Sequence, residues 1–271
     1  MDNRRIGLFD SGLGGLTVMK ELMRLLPSES IVYFGDTGRI PYGSKSVDTI
    51  LKYTKSDIRF LQDFDLKMMV AACGTASSTA LPLLKGQYDV PLLGVIEPAA
   101  KAAAGVTKNG CVGVIGTAGT IASGAYKRLL AGINPDIQTV DVACPLFVHL
   151  VENGFAEKNV AKEVAEEYLE PIKKAGADTL ILGCTHYPLL RKVITEVLGD
   201  KVTLINPGVY VAEEIKARLT EADQLAEVPY DEQYSFYVSD DPAGFVRLGS
   251  VFLERPISGL AKQVDIEQFT E

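Results

Sequence analysis

The sequence has 271 residues, of which 47% are hydrophobic and 23% charged, a composition typical of a globular enzyme with one large domain or two ordinary ones. The net charge of −8 argues against a nucleic-acid partner, because nucleic-acid binding normally requires a basic surface. No apolar run approaches the length of a membrane span, and the first such run, Ile6–Phe9, is too short for a signal peptide. We therefore expect a cytoplasmic protein with no membrane partner.

Short apolar runs alternate with longer helical patterns along most of the chain. Helices are predicted at 46–64 and at 160–175; the second begins near Lys158 or Asn159 and stops at Gly176. Alternation of this kind predicts an α/β fold with mainly parallel sheets, covered on both faces by helices. The predicted strands are Ile6–Phe9, Ile31–Phe34, Lys67–Ala72, Pro91–Gly94, Cys111–Ile115, Ile137–Val142, Thr179–Gly183 and Val202–Ile205.

Four of these strands run directly into short segments of glycine, hydroxyl-bearing and ionisable residues. The segments are 10–15, 73–75, 116–120 and 184–186. Because sites in parallel α/β folds lie at the carboxyl ends of strands, we expect these segments to form sites rather than surface loops.

A faint internal repeat relates the two halves of the chain. Asp10 and Cys73 are 63 positions apart, and Thr117 and Cys184 are 67 positions apart. In each case the interval begins at one strand end and finishes at another. The repeat predicts two similar halves facing each other across one cleft, with the residues after 207 returning to the first half.

Cys73 and Cys184 each follow an apolar strand and precede a threonine and a helix. The partial positive charge at a helix N-terminus favours a thiolate. Two such thiols across a cleft suit a reaction in which a base removes a proton from one face of a carbon and an acid returns one to the other face, which inverts the stereocentre. The alternative is that both are small buried hydrophobic side chains, the usual environment of free cysteine.

The sequence contains no pattern typical of a metal site, a redox dithiol or a cofactor site. The chain has four cysteines and no CxxC pair, so we expect reduced thiols and no zinc or redox-dithiol site. Cys111, at a strand start, and Cys144, before Pro145, are expected to be structural. No segment resembles a pyridoxal-phosphate site and no lysine stands out as a Schiff-base former, so no cofactor and no metal are expected.

Asp10 and Ser11 lie in a glycine-rich turn that has neither a GxGxxG nor a Walker pattern, so nucleotide binding is poorly supported. A turn that exposes backbone N–H groups suits a substrate carboxylate. Asp10 suits an ammonium group or a thiol proton, although an Asx-turn or a helix cap explains it equally well.

His186 lies two residues after Cys184 and is expected to assist a proton transfer there. A thiol hydrolase is the alternative, but it leaves the second cysteine unused, and no segment clearly supplies an oxyanion hole. Glu152 follows an apolar stretch and is expected either in the cleft or at the surface. His149, inside that stretch, is expected to be a core residue.

A set of short motifs stands in a fixed order between residue 6 and about residue 190. They are Asp10-Ser11-Gly12 with Gly14-Gly15, Gly35-Asp36 followed by Pro41-Tyr42-Gly43, Ala72-Cys73-x-Thr75-Ala76-Ser77, Gly94-Val95-Ile96-Glu97-Pro98, Thr117-x-x-Thr120-x-x-Ser123, Ala143-Cys144-Pro145, and Gly183-Cys184-Thr185-His186-Tyr187-Pro188. In these motifs the chain resembles the glutamate racemases of the bacterial aspartate/glutamate racemase superfamily. The last motif is the most specific.

The resemblance implies two pseudo-symmetric, doubly wound α/β domains, 1–97 with 208–271 and 98–207, and an active-site cleft between them. It implies interconversion of L- and D-glutamate without a cofactor or a metal, supplying D-glutamate for peptidoglycan and so for cell-wall biogenesis and cell shape. Homodimers are common in the family. The N-terminal extension that some members have, associated with activation by a cell-wall precursor, is expected to be absent here.

The resemblance also assigns roles to residues. Cys73 and Cys184 are the implied catalytic bases, with Asp10 supporting the first and Glu152 and His186 supporting the second. The implied substrate contacts are Asp10, Ser11, Tyr42, Gly43, Gly74, Thr75, Thr117, Thr120, Thr185 and His186.

The chain departs from the family pattern at two places. Gly74 stands where asparagine is usual, which removes a side-chain amide expected to hydrogen-bond the substrate, at a cost on the order of 1.5–3 kcal/mol. Asn206-Pro207-Gly208 stands where Asp-Ser-Gly is usual. Neither change affects the cysteine pair.

Three alternative functions remain. They are a racemase for aspartate or another small acid, a single-cysteine decarboxylase, which the second cysteine argues against, and a ligand-binding homologue with reduced turnover because of Gly74.

Overall fold

A computed structural model describes residues 2–228, 233–257 and 261–270 of the chain. Within these residues the strands form one sheet of six and one of four, and all neighbouring strands are parallel. The predicted α/β fold is therefore confirmed. The first sheet contains β1 (Arg5–Asp10), β2 (Ile31–Gly35), β3 (Leu66–Ala71), β4 (Leu92–Gly94), β9 (Tyr234–Val238) and β10 (Lys262–Gln263), and the second contains β5 (Cys111–Gly116), β6 (Gln138–Ala143), β7 (Thr179–Leu182) and β8 (Thr203–Ile205).

The two sheets share one strand order. The second runs β6-β5-β7-β8, and the matching part of the first runs β2-β1-β3-β4, with β9 and β10 added beside β2. The faint repeat in the sequence is therefore a repeat of topology. Asp10 ends β1 as Gly116 ends β5, and Cys73 and Cys184 each lie two residues beyond the end of their strand.

Helices cover both faces of the sheets, as in doubly wound folds. Ile6 and Leu8 of β1 face an apolar core that continues into the second sheet, whereas Phe9 faces a separate core. The helices are α1 (Leu16–Leu25), α2 (Val47–Leu61), α3 (Gly74–Thr79), α4 (Leu81–Leu84), α5 (Ile96–Val106), α6 (Ala118–Ala122), α7 (Ala125–Ile133), α8 (Leu146–Glu152), α9 (Asn159–Lys174), α10 (Arg191–Leu198), α11 (Pro207–Glu221) and α12 (Pro242–Leu253). None of the helices within the described ranges has the length and apolar character of a bilayer-spanning segment.

The eight strands predicted from sequence are present, each with its ends shifted by one residue at most. The helices predicted at 46–64 and 160–175 are α2 and α9, and Gly176 follows the second with a φ of 69°. β9 and β10 are missing from the prediction; β9 pairs with β2 and β10 with β9, so these strands after residue 207 extend the first sheet. The predicted first domain also includes residues 1, 229–232, 258–260 and 271, which lie outside the described residues.

The prediction that His149 is a core residue is wrong. His149 is exposed, because α8 turns Phe147 and Val151 toward the core and places the histidine on its opposite face.

A buried ion pair lies at the amino end of β3. Lys67 Nζ is 2.6 Å from Glu29 Oε2, and both side chains are almost fully buried. Lys67 also donates to the carbonyl oxygens of Asp2 and Gln224, and Glu29 accepts the backbone N–H of Ala226. The pair therefore ties the segment after α11 to the first sheet.

Replacement of Lys67 tests this tie. Lys67→Met leaves Glu29 buried without its counter-charge, so we expect the free energy of unfolding to fall by about 3–5 kcal/mol. Urea unfolding followed by circular dichroism measures the change. Lys101→Met is the matched control, because the ion pair of Lys101 with Glu97 is more than half exposed and such pairs contribute less than about 1 kcal/mol. A loss as small as that of the control would contradict the burial argument.

Candidate active site

The polar segments at the strand ends meet where the carboxyl ends of the two sheets face each other. Thr17 Oγ1 donates to the carbonyl oxygen of Thr185 at 2.9 Å, and the hydroxyl oxygens of Thr75 and Thr117 are 2.8 Å apart. Thr120 joins this group, with its hydroxyl 3.0 Å from that of Thr117 and 3.5 Å from that of Thr75. Residues of the first half are thus hydrogen-bonded directly to residues of the second.

Cys73 is the N-cap residue of α3 and is 5% exposed. Its sulfur lies 3.6 Å from Ser11 Oγ. Burial and the nearby carboxylate of Asp10 raise the pKa of Cys73 to about 12, and the Ala76 N–H and the Ser11 hydroxyl oppose this shift only in part. Cys73 is therefore a neutral thiol at neutral pH.

Cys184 lies beside a charged histidine. Its sulfur is 3.9 Å from Nδ1 of His186, and Nε2 of the same ring is 2.9 Å from Glu152 Oε1. Burial lowers the pKa of His186, but the hydrogen bonds and negative charges of Cys184 and Glu152 outweigh it and raise the pKa to about 10. His186 is therefore an imidazolium at neutral pH, held between a sulfur and a carboxylate.

Asp10 is fully buried at the end of β1. Its Oδ2 accepts the N–H of Gly12 at 3.0 Å, whereas Oδ1 has no hydrogen-bond partner among the described residues. Burial raises the pKa of this carboxyl, against the effects of the charge on His186 and of the N–H groups of Gly15 and Gly12. The carboxyl is anchored through one oxygen, and the other suits a ligand that brings a positive charge or a hydrogen-bond donor.

The hydroxyl of Tyr42 is engaged by two buried carboxylates. It lies 2.5 Å from Asp36 Oδ2 and 3.0 Å from Asp57 Oδ2, and the ring is buried. Arg39 joins the same network, 2.7 Å from Asp36 and 3.1 Å from Asp57. Burial and the charge of Asp36 raise the pKa of Asp57 well above its ordinary range. The network fixes the loop that carries Tyr42 and Gly43, so a substrate contact from Tyr42 falls to its main chain.

The two glycines of the predicted site lie directly against the second half. A methyl group at Gly43 would lie 2.6 Å from Thr117 Cβ, and one at Gly74 would overlap the carbonyl oxygen of Gly183. Position 74 therefore has no space for a side chain in this arrangement, including the asparagine that is usual there in the family. The structure thus brings the predicted catalytic and substrate-binding residues together at one meeting of the two halves.

Three residues of this region are missing from the sequence prediction: Thr17, Arg39 and Asp57. Asp57 could have been identified from the sequence, because it lies on the apolar face of α2 with Ile50. A buried carboxylate in that position needs a hydrogen-bonding or charged partner. Thr17 and Arg39 have no sequence feature that predicts their role, because only the tertiary fold brings their partners close.

The other two cysteines make none of the hydrogen bonds described above. All four cysteines of the chain are free; Cys144 is fully buried, and Cys111 is partly buried at the start of β5. Both positions suit the structural roles predicted for them. Within the described ranges, no cluster of three or more His, Cys, Asp or Glu side chains has the arrangement of a metal site.

The charge on His186 is open to direct measurement. Glu152→Gln removes one of the negative charges that hold the pKa of His186 near 10, so we expect that pKa to fall toward the ordinary 6.5. Because the folded-state pKa is raised, the histidine stabilises the fold fully below pH 6.5 and loses this contribution as the pH rises through 10. NMR titration of the imidazole signals measures the pKa, and His149→Gln assigns them, since the chain has two histidines. An unchanged titration of His186 in Glu152→Gln would contradict the assignment.

Known proteins are similar to this chain in both sequence and fold. A family model described as Asp/Glu/Hydantoin racemase matches residues 14–215. A glutamate racemase of Geobacter metallireducens is 46% identical over 264 residues, which cover 97% of each chain. The crystal structure of a glutamate racemase from Bacillus anthracis matches with a TM-score of 0.92 at 38% identity over 98% of both chains. That of the Francisella tularensis glutamate racemase, in complex with D-glutamate, matches with a TM-score of 0.91 at 37% identity, over 99% of this chain and 100% of that one. The chain therefore belongs to the Asp/Glu/Hydantoin racemase family.

Proposed function

We propose that this chain is a cofactor-independent glutamate racemase that interconverts L- and D-glutamate through Cys73 and Cys184. The observation that carries the proposal is the pair of buried thiols at equivalent ends of β3 and β7, on facing halves of the molecule. Glutamate as the substrate is supported by the relatives, which are named glutamate racemases over nearly the full length of the chain.

The two thiols take the roles of base and acid in each direction of the reaction. In one direction Cys184, whose sulfur lies 3.9 Å from His186 Nδ1, is the base: in its thiolate form it removes the α-proton of one enantiomer and becomes a thiol. Cys73, kept neutral by its raised pKa, gives its proton to the opposite face of the carbanion and becomes the thiolate. The reverse reaction uses the same two groups with their roles exchanged, so the atoms and charges balance in both directions.

The substrate is held between the same strand ends. Asp10 Oδ1, buried and without a partner among the described residues, is the proposed acceptor for the ammonium group. Hydroxyl groups, main-chain N–H groups and one imidazolium are the proposed donors for the two carboxylates. These donors come from Ser11, Tyr42, Gly43, Gly74, Thr75, Thr117, Thr120, Thr185 and His186.

The proposal extends to the cellular role, the oligomeric state and the domain division of the enzyme. D-glutamate made in the cytoplasm supplies peptidoglycan synthesis, and so cell-wall biogenesis and cell shape, and the enzyme acts as a homodimer. No cofactor or metal takes part, because two thiols supply both the acid and the base. The division into 1–97 with 208–271 and 98–207 is supported by the sheets, since β1–β4 with β9 and β10 form one and β5–β8 the other.

Serine replacement tests the two-cysteine mechanism. Cys73→Ser and Cys184→Ser each remove one proton carrier and replace it with a much weaker acid, so we expect racemisation to fall by about 10²–10⁴-fold with the fold intact. Polarimetry or circular dichroism at constant pH follows the reaction. Cys111→Ser is the matched control and should keep wild-type turnover, because Cys111 lies at the amino end of β5, whereas the site lies at the carboxyl ends of the strands. Near-wild-type turnover in either test variant would overturn the assignment.

Isotope exchange and substrate choice test the function itself. In deuterated water, without added cofactor, the wild-type enzyme should place deuterium at the α-carbon of the inverted glutamate, because the proton that returns comes from a solvent-exchangeable thiol. Parallel assays with L-aspartate separate the two substrates. Inversion of aspartate but not glutamate would identify an aspartate racemase, and binding without exchange would identify a ligand-binding homologue.

A further inference from the structure

A single phenolic hydrogen lies between two buried carboxyl groups. The hydroxyl of Tyr42 is 2.5 Å from Asp36 Oδ2 and 3.0 Å from Asp57 Oδ2, and the side chains of both aspartates are fully buried. A tyrosine hydroxyl has one hydrogen, so it donates to one of these oxygens and must accept from the other. Two ionised carboxylates would turn one of the two contacts into a repulsion between oxygens. The geometry therefore requires a proton on one of the two carboxyl groups.

The charges of this network lead to the same requirement. Arg39 donates through Nε to Asp36 at 2.7 Å and through Nη2 to Asp57 at 3.1 Å, and Glu267 Oε1 lies 3.8 Å from Nη1 of the same guanidinium. One guanidinium balances the charge of one buried carboxylate. A second buried carboxylate without a counter-charge is costly, and a proton on one of the two aspartates removes that cost.

The hydrogen bonds identify which of the two aspartates is ionised. Asp36 accepts from Arg39, from Tyr42 and from the hydroxyl of Ser239 at 2.8 Å. Ser239 itself accepts a main-chain N–H, so its own hydrogen is free to donate to Asp36. Besides the shared contact with Tyr42, Asp57 accepts from Arg39 alone among the described residues. Three donors stabilise a negative charge on Asp36, so the proton belongs to Asp57.

Burial and the surrounding charges act on Asp57 in the same direction. Burial and the negative charge of Asp36 raise the pKa of Asp57, against the charge of Arg39 and the hydrogen bond from Tyr42. The neighbouring elements add four ionisable side chains to this surrounding, namely Asp10, Tyr53, Cys73 and Glu267. Of these, Asp10 raises the pKa of Asp57 further. A carboxyl group in this place keeps its proton at neutral pH.

The network holds the segment between β2 and α2 from both of its ends. Asp36 directly follows β2, Asp57 lies on α2, and Tyr42 lies between them in the chain. Gly43, the next residue, lies against the second half, since a methyl group at 43 would lie 2.6 Å from Thr117 Cβ. The main chain at Tyr42 and Gly43 therefore takes its position from the anchored tyrosine side chain.

We propose that Asp57 is a positioning residue that works as a neutral carboxylic acid: it donates its proton to the Tyr42 hydroxyl, which donates in turn to the carboxylate of Asp36. This inference rests on the proposed function, in which Tyr42 and Gly43 offer main-chain groups to glutamate. Loss of the Asp57 proton at alkaline pH replaces a hydrogen bond with a repulsion and loosens the substrate-binding segment. Both thiols are left as they are, so the effect falls on KM rather than on kcat.

The pH dependence of KM tests this role with Asp57→Asn. An asparagine amide has the shape of a neutral carboxylic acid and donates the same hydrogen bond, but it does not ionise. Between about pH 7 and about pH 10, we expect KM for glutamate to rise about three- to tenfold more in the wild type than in Asp57→Asn, the effect of losing one hydrogen bond. The kcat profiles should coincide, and an equal rise of KM in both enzymes would overturn the positioning role.

Asp48→Asn is the matched control, because Asp48 is an exposed aspartate in the first turn of the same helix. This variant should show the wild-type rise of KM. The ammonium group of the substrate and the imidazole of His186 titrate in all three enzymes, so the comparison between them isolates the effect of Asp57.

Two further measurements do not depend on activity. Infrared spectroscopy at neutral pH should show the carbonyl band of a protonated carboxyl group in the wild type and in Asp48→Asn, and a weaker band in Asp57→Asn. Thermal unfolding should give Asp57→Asn a Tm within about 2 °C of the wild type, because one neutral group replaces another. Asp36→Asn removes the charge that balances Arg39 and should lower Tm by more than about 5 °C.

The outcomes that would overturn the proposal are distinct from those that concern the proposed function. An infrared band that is unchanged in Asp57→Asn, a Tm as low as that of Asp36→Asn, or failure of Asp57→Asn to fold would each show that residue 57 is not a neutral acid. If the wild type fails to racemise glutamate, the proposed function is wrong, and the infrared band and Tm still decide whether Asp57 holds the proton.

Discussion

The carboxyl ends of two parallel sheets approach each other so closely that main chain meets main chain, and the chemistry of the site depends on this approach. Gly74 touches the Gly183 carbonyl, and Thr17 donates to the carbonyl of Thr185. Cys73 and Cys184 are the sequence neighbours of these contacts, so the packing of the halves brings the two cysteine-bearing segments together. In the proposed mechanism both thiols must reach one substrate molecule, and the approach of the halves brings their segments together.

The scaffold is repeated, but its charges are not. The strand order β2-β1-β3-β4 recurs as β6-β5-β7-β8, and it gives each cysteine the same place relative to its strand. Asp10 ends β1, whereas its counterpart at the end of β5 is Gly116; His186 follows Cys184 by two residues, whereas Thr75 follows Cys73. One thiol therefore has a buried carboxyl beside it and the other an imidazolium. A reaction that needs one acid and one base at mirrored positions uses a symmetric backbone and an asymmetric charge distribution.

The sequence predicts well the features that depend on a short, continuous stretch of residues. Buried parallel strands appear in the sequence as continuous apolar runs, and the polar residues that follow them mark the carboxyl ends of the strands. The first eight strands, and the positions of Cys73 and Cys184 at strand ends, were therefore predictable. The two-residue strand β10 carries too little pattern to detect. The exposed His149 was misplaced because an apolar neighbourhood hides the two-sided character of a short helix. The Arg39–Asp57 pair and the Gly74 contact depend on segments that only the tertiary fold brings together.

The most direct measurement of the central claim is a crystal structure of the enzyme with D-glutamate bound. We expect the sulfur atoms of Cys73 and Cys184 to lie on opposite faces of the substrate α-carbon, each about 3–4 Å from it, with the ammonium group at Asp10. Glutamate bound away from the two thiols, or both sulfurs on one face of the α-carbon, would contradict it.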